Sequence, residues 1–228
     1  MLTLYWNYDS PYSRCIKWLL LNQKVEHADK ILSWEQMTLD ALLHQANPKR
    51  QVPTLAEYDS GVLVASQTDS LLIGLAHVGP NWYQSLDAKL YRLADSEVEA
   101  CIIFLFRANL LKEKLGQSDN SELMLKAGVD TYKASIDLLI DHLLVEVNQE
   151  VYDEVNIGAV LLFSTLQAAR SMMPVGDIHY RQKELAAFIH TIEKNIDYQR
   201  MLGEVAMNLS KHDSNEQNRV SFMWAGGI

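Results

Sequence analysis

The sequence predicts an α/β half followed by an all-helical half. Three observations carry that prediction: a βαβαββα order of strand-spaced and helix-spaced apolar residues within the first 78 positions, a break at Val78-Gly79-Pro80, and no convincing strand from Ser85 onward. The expected units are a first domain over residues 1–78, a linker over 79–85, a helical domain over 86–208 and a C-terminal tail over 209–228.

Each element has its own local cause. Leu2 to Trp6 is a short apolar strand, and Asp9-Ser10-Pro11 starts a helix with Ser10 as cap and Pro11 at the first helical position. Tyr12, Cys15, Ile16, Leu19 and Leu20 recur at helical spacing on it. Val25 to Leu32 reads as a second strand, and Ser33 with Gln36 forms a capping box for one helix running to about Gln45, before Asn47-Pro48. Thr54–Tyr58 and Val62–Val64 flank Asp59-Ser60-Gly61 as a hairpin, and Ser66 with Asp69 opens a helix to about His77. In the second half, Leu90, Leu93, Val98, Cys101, Ile102 and Leu105 mark one long amphipathic helix to about Leu115, which Gly116 and Ser118-Asp119-Asn120 break. Leu125 to Leu143 marks another. Asn156 caps a third, which Pro174 stops, and helices around Tyr180–Lys194 and Asp197–Asn208 follow. Polar residues Lys211–Arg219 then lead to Val220-Ser221-Phe222-Met223-Trp224, a segment expected to dock on the body.

Composition excludes several function classes. A net charge of −9 and no basic run with interleaved aromatics argue against nucleic acid. Cys15 and Cys101 stand alone in apolar helical surroundings, so they read as buried free thiols rather than a metal pair or disulfide. No basic segment leads into an apolar signal core, and no apolar run is long enough for a bilayer, so a cytoplasmic protein is expected. Hydrolase, zinc-protease, P-loop and dinucleotide motifs are absent from the sequence, the seven histidines are scattered, and no metal is implied.

The informative stretch is Asn47 to Leu55, NPKRQVPTL, with Gln67-Thr68 a dozen residues on. A Val-Pro leading into a strand, then a polar pair in the first turn of a helix, suggests a backbone-lined pocket for a small anionic peptide. Free N–H groups at such a helix start favour an anion.

With the βαβαββα order and the helical second half, these residues resemble the cytosolic glutathione transferase family over nearly the whole chain. The wording Gln51-Val52-Pro53-Thr54-Leu55 is similar to the zeta class in particular. The resemblance implies a thioredoxin-like first domain, a glutathione transferase C-terminal domain and a homodimer. It implies conjugation of glutathione, as co-substrate, to a small apolar electrophile in detoxification. It also implies that Pro53 is cis and that Gln51, Val52, Pro53, Gln67 and Thr68 hold the tripeptide. Lys30, Lys49 and Arg50 are further candidates for its glycyl carboxylate, with Gln51 preferred.

The chemistry requires a thiolate, and a hydroxyl at a helix N-terminus stabilises one. Ser10 is placed for this. It matches the first Ser of the zeta Ser-Ser-Cys motif and the Ser or Cys before Pro in the tau and omega classes. Tyr5, near the end of the first strand, is the second choice, and Tyr8, Tyr12 and Ser13 follow. Tyr12 stands where the zeta class has its cysteine, which argues against its isomerase activity. Two further departures are Arg50, where the family often has Gly, and Ala159, where an Asp usually returns the capping bond to the helix start. They leave a non-catalytic binding or regulatory module, or a glutathione-dependent isomerase or dehalogenase, as alternatives.

Overall fold

The computed structural model describes residues 2–57, 63–65, 82–116, 118–144 and 155–212. Strand β1 (Leu2–Trp6) pairs in parallel with β2 (His27–Ile31), placing Leu2 against His27 and Trp6 against Ile31. On its other side β1 pairs antiparallel with β3 (Thr54–Glu57), which pairs antiparallel with β4 (Leu63–Ala65), giving the order β2-β1-β3-β4. Helix α1 (Pro11–Asn22) makes the parallel crossover, with Pro11 in its first turn.

Alternation along β1 decides what each face buries. Leu4 and Trp6 join Cys15, Ile16, Leu19 and Leu20 of α1 in the main core. Tyr5 points the other way, into a second cluster of Leu32, Met37, Leu43, Ala46 and Ala56. Both faces are covered, as a sheet with crossovers requires.

Local chemistry adjusts two of the expected elements. The second strand begins at His27 rather than Val25, because Val25 N–H closes the end of α1 on Leu20 O at 2.9 Å, with Lys24 left-handed at φ 56°. The single helix expected after Ser33 is two, α2 (Trp34–Leu39) and α3 (Ala41–Ala46). The Ser33–Gln36 capping box is present, but Asp40 is extended (ψ 112°) and its carboxylate accepts from Leu43 N–H at 2.7 Å, so it caps a new helix instead of continuing the old one. The hairpin strands lie within a residue of expectation. The turn Asp59–Gly61 and the helix expected from Ser66 fall outside the described residues.

From Trp82 on, every described element is helical. The long helix expected to Leu115 is α4 (Leu86–Arg92), a wide π-helical turn over Leu93–Val98, and α5 (Glu99–Leu115). It lies against α6 (Asp119–Leu138) and its own π-helical extension Leu139–Leu143. Helix α7 (Ile157–Met172) is the central one, with Val160, Leu161, Leu162 and Phe163 fully or almost fully buried. Helices α8 (Gln182–Glu193) and α9 (Ile196–His212) complete the described chain.

The start of α7 shows how a missing local signal is replaced from afar. Asn156 accepts from Ala159 N–H at 2.9 Å, as its capping role requires. Ala159 offers no return bond. A second free N–H, that of Gly158, is instead taken by Asp87 Oδ1 of α4, whose Oδ2 accepts from Trp82 Nε1 at 2.6 Å. Gly158 is required by this approach, since a Cβ there would stand 2.0 Å from Asp87 O.

Candidate functional site

The turn between β1 and α1 is organised by Asn7, which is buried. Its Nδ2 donates to Leu32 O at 2.7 Å, its Oδ1 accepts from Asp9 N–H at 2.7 Å, and its carbonyl accepts from Ser10 N–H at 3.2 Å. Ser10 is thereby set at the head of α1. Its Oγ accepts from Ser13 N–H at 3.3 Å, and its side chain is only 6% exposed. Because the oxygen accepts that bond, the hydroxyl proton is still available to donate. Asp9 beside it has its carboxyl raised by burial, an effect that Arg14 and Trp34 partly oppose.

The Val52–Pro53 peptide is cis. The corner is knitted by Asn47, whose Nδ2 donates to Gln51 O at 3.3 Å and to Thr54 Oγ1 at 3.0 Å, while Thr54 Oγ1 donates to Gln51 O at 2.6 Å. Among the described residues no hydrogen bond engages the main chain of Val52. Val52 itself leans on the second cluster, Pro53 is buried and the Gln51 side chain is exposed. Gln67 and Thr68 lie outside the described residues. Sequence reasoning missed Asn7 and Asn47 as organisers. A buried asparagine looks like a loop residue until its long-range partners are known, although Asn at a strand end and Asn before Pro were the available signals.

The other candidates have structural occupations. Tyr5 is 5% exposed in the second cluster, with Lys30 Nζ 5.4 Å above its ring. Lys30 pairs with Asp40 at 2.6 Å, so it braces β2 to the start of α3. Arg50 sits at φ 54°, the left-handed region, and its side chain donates to His44 Nδ1 at 3.1 Å and to Thr38 O. That conformation is why glycine suits this position. The cysteines are buried, and burial pushes the Cys101 thiol up to about 12 and Cys15 higher still, so neither is a nucleophile near neutral pH.

No protein-family model matches the sequence, and no curated protein does. Solved structures do match its shape. A glutathione transferase family member from Pseudomonas fluorescens Pf-5, with bound glutathione, superposes with a TM-score of 0.64 at 21% identity over 88% of this chain and 98% of that one. The chain has the glutathione transferase fold. A glutathione S-transferase from Xylella fastidiosa gives a TM-score of 0.66 at 16% identity over 90% and 99% of the two chains. A glutathione transferase from Phanerochaete chrysosporium with oxidized glutathione gives 0.68 at 11% over 92% and 96%. In terms of that fold, Ser10 heads the first helix of the thioredoxin-like half, and Val52–Pro53 leads into its third strand. Among the described residues no cluster of metal-ligating side chains exists, and no helix is long and apolar enough to cross a membrane.

Proposed function

We propose that the protein is a glutathione transferase in which Ser10 stabilises the glutathione thiolate. The observation that carries this is the Ser10 hydroxyl, held at the N-terminus of α1 as an acceptor from Ser13 N–H, with no acceptor for its own proton among the described residues. The main chain of Val52, beside the cis Pro53 and without a hydrogen bond to any described residue, suits the extended cysteinyl backbone of the tripeptide. Gln51, Gln67 and Thr68 complete the peptide site in this reading. The thiolate sulfur forms a bond to an electrophilic carbon, and the leaving group departs with its electron pair and takes up a proton. Proximity and a preorganised donor supply the acceleration. Tyr5, buried against α3, is set aside as the donor.

Glutathione bound to the Pseudomonas fluorescens neighbour supports the ligand. The two departures that favoured a drifted, non-catalytic module are both compensated, Ala159 by Asp87 and Gly by the braced Arg50, which favours the enzyme. The same reading takes residues 1–78 as the glutathione-binding domain, 79–85 as linker and the helical domain from 86 on, its expected end at 208 moved to His212 because α9 runs that far, with a tail after it. The electrophile lies between the domains, and a cytoplasmic homodimer serves detoxification. Phe106 at 58% exposure, with Ile103 and Phe104 also exposed on α5, supports the dimer.

The test is calorimetric binding of reduced glutathione with the bound thiol's absorbance titrated against pH. Binding with a lowered thiol pKa that Ser10→Ala reverses is the expected outcome. No binding at millimolar glutathione overturns the proposal.

A further inference from the structure

Two residues beyond Ser10, Tyr12 crosses from the first half of the molecule to the second. Its hydroxyl donates to Asp95 Oδ1 at 2.8 Å, and Glu99, one turn on, also engages it. Tyr12, Asp95 and Glu99 are all half-buried, so they lie in the seam rather than on open surface. Asp95 sits inside the π-helical turn Leu93–Val98, the place where the long helix of the second half departs from α-helical winding. Such turns are uncommon and are frequently functional.

We infer that the Tyr12–Asp95 hydrogen bond is a tie across the seam beside Ser10 that sets how wide the two halves stand, and so determines the size of electrophile admitted. This rests on the transferase reading for its substrate, but the tie itself is a property of the fold. A hydroxyl–carboxylate bond of 2.8 Å is of ordinary length and gains from the acceptor's charge, so it favours one separation of the two elements it joins. Burial raises the Tyr12 hydroxyl above its ordinary range, and the two carboxylates add to that, so it keeps its proton and remains a donor. A small, flat electrophile reaches the sulfur with the tie intact. A bulky one must break it and leave the Asp95 carboxylate without its donor, a loss felt in kcat/KM for that substrate alone.

The experiment compares methyl isothiocyanate with naphthylmethyl isothiocyanate as substrates of the full chain. In both, the glutathione sulfur bonds to the isothiocyanate carbon, one C=N pair moves to nitrogen, and nitrogen takes the proton that the thiol gave up. Tyr12→Phe and Asp95→Ala are expected to raise the bulky-to-small ratio of kcat/KM about threefold or more, whereas Asp95→Asn, which keeps an acceptor, holds the wild-type ratio. An unchanged ratio in Tyr12→Phe overturns the inference. So does a ratio that moves as far in Asp95→Asn as in Asp95→Ala, since charge rather than the tie would then select. If the wild type conjugates neither compound, the transferase reading has failed first. The tie is then judged by hydrogen exchange over residues 93–99, which must quicken in Tyr12→Phe; equal exchange overturns it.

Discussion

Arg50 and Glu99 each show a side chain held against its intrinsic preference. The left-handed backbone at Arg50 costs a non-glycine residue about 1 kcal/mol, which its bonds to His44 and Thr38 offset. Arg50→Ala keeps the cost and loses the bonds, so it should unfold at lower urea than the wild type, while Arg50→Gly should stay close to it, the two differing by about 1 kcal/mol. Glu99 has its carboxyl raised chiefly by burial and also by Asp95, with Tyr12 opposing. The folded state therefore holds this proton more tightly than the unfolded chain. The penalty for ionising it is full above its folded pKa, shrinks as pH falls through that value and is gone below the pKa of the unfolded chain. Glu99→Gln is accordingly expected to raise Tm at pH 8 and to match the wild type at pH 4. At this scale the sequence was informative for Ser10, whose cap follows from Ser-Pro, and mute for Asn7, whose partners are Leu32 O and the turn it orients.

Among the elements, the start of α7 is the one whose stability comes from elsewhere in the chain. Asp87 supplies the carboxylate that Ala159 lacks, near the positive end of a helix 16 residues long. Asp87→Ala should cost about 2 kcal/mol in chemical denaturation, and Ala159→Asp should restore part of it. In the wild type, Ala159→Asp should instead destabilise, because two carboxylates would crowd one helix end. Gly158→Ala should be worse than either, at about 3 kcal/mol, since the added carbon meets the Asp87 main chain rather than a side chain that could yield. The capping boxes and helix spacings made these elements visible in the sequence. The division at Asp40 and the widened turn at Leu93–Val98 were not visible there, because a mid-helix Asp and a mixed run such as Leu93-Ala94-Asp95-Ser96-Glu97-Val98 are each compatible with continuous helix.

Across the whole molecule, α1 carries the union of the two halves. Arg14 donates to Gln167 at 2.9 Å, Trp18 Nε1 donates to Asn195 at 2.9 Å, and Lys17, 2% exposed, pairs with Asp29 of β2 at 2.5 Å and Glu204 of α9 at 2.7 Å. Leu4 and Trp6 share one apolar core with Val160 and Phe163 of α7. Two halves that share a core lose it together, so urea unfolding should be a single transition, with tryptophan fluorescence and far-UV circular dichroism coinciding. Lys17→Met should lower that transition by about 3 kcal/mol, because it removes the buried cation between Asp29 and Glu204, which keep only the longer contacts with His27 and Arg200. The sequence by itself determined the kinds of elements, their order and the stretch from Asn47 to Leu55, since periodicity, caps and prolines act between near neighbours. Only the tertiary structure decided that Tyr5 is core, that Asp87 caps α7 and that Lys17 joins β2 to α9. Those outcomes depend on residues brought together from distant parts of the chain, and local spacing does not encode which of them will meet.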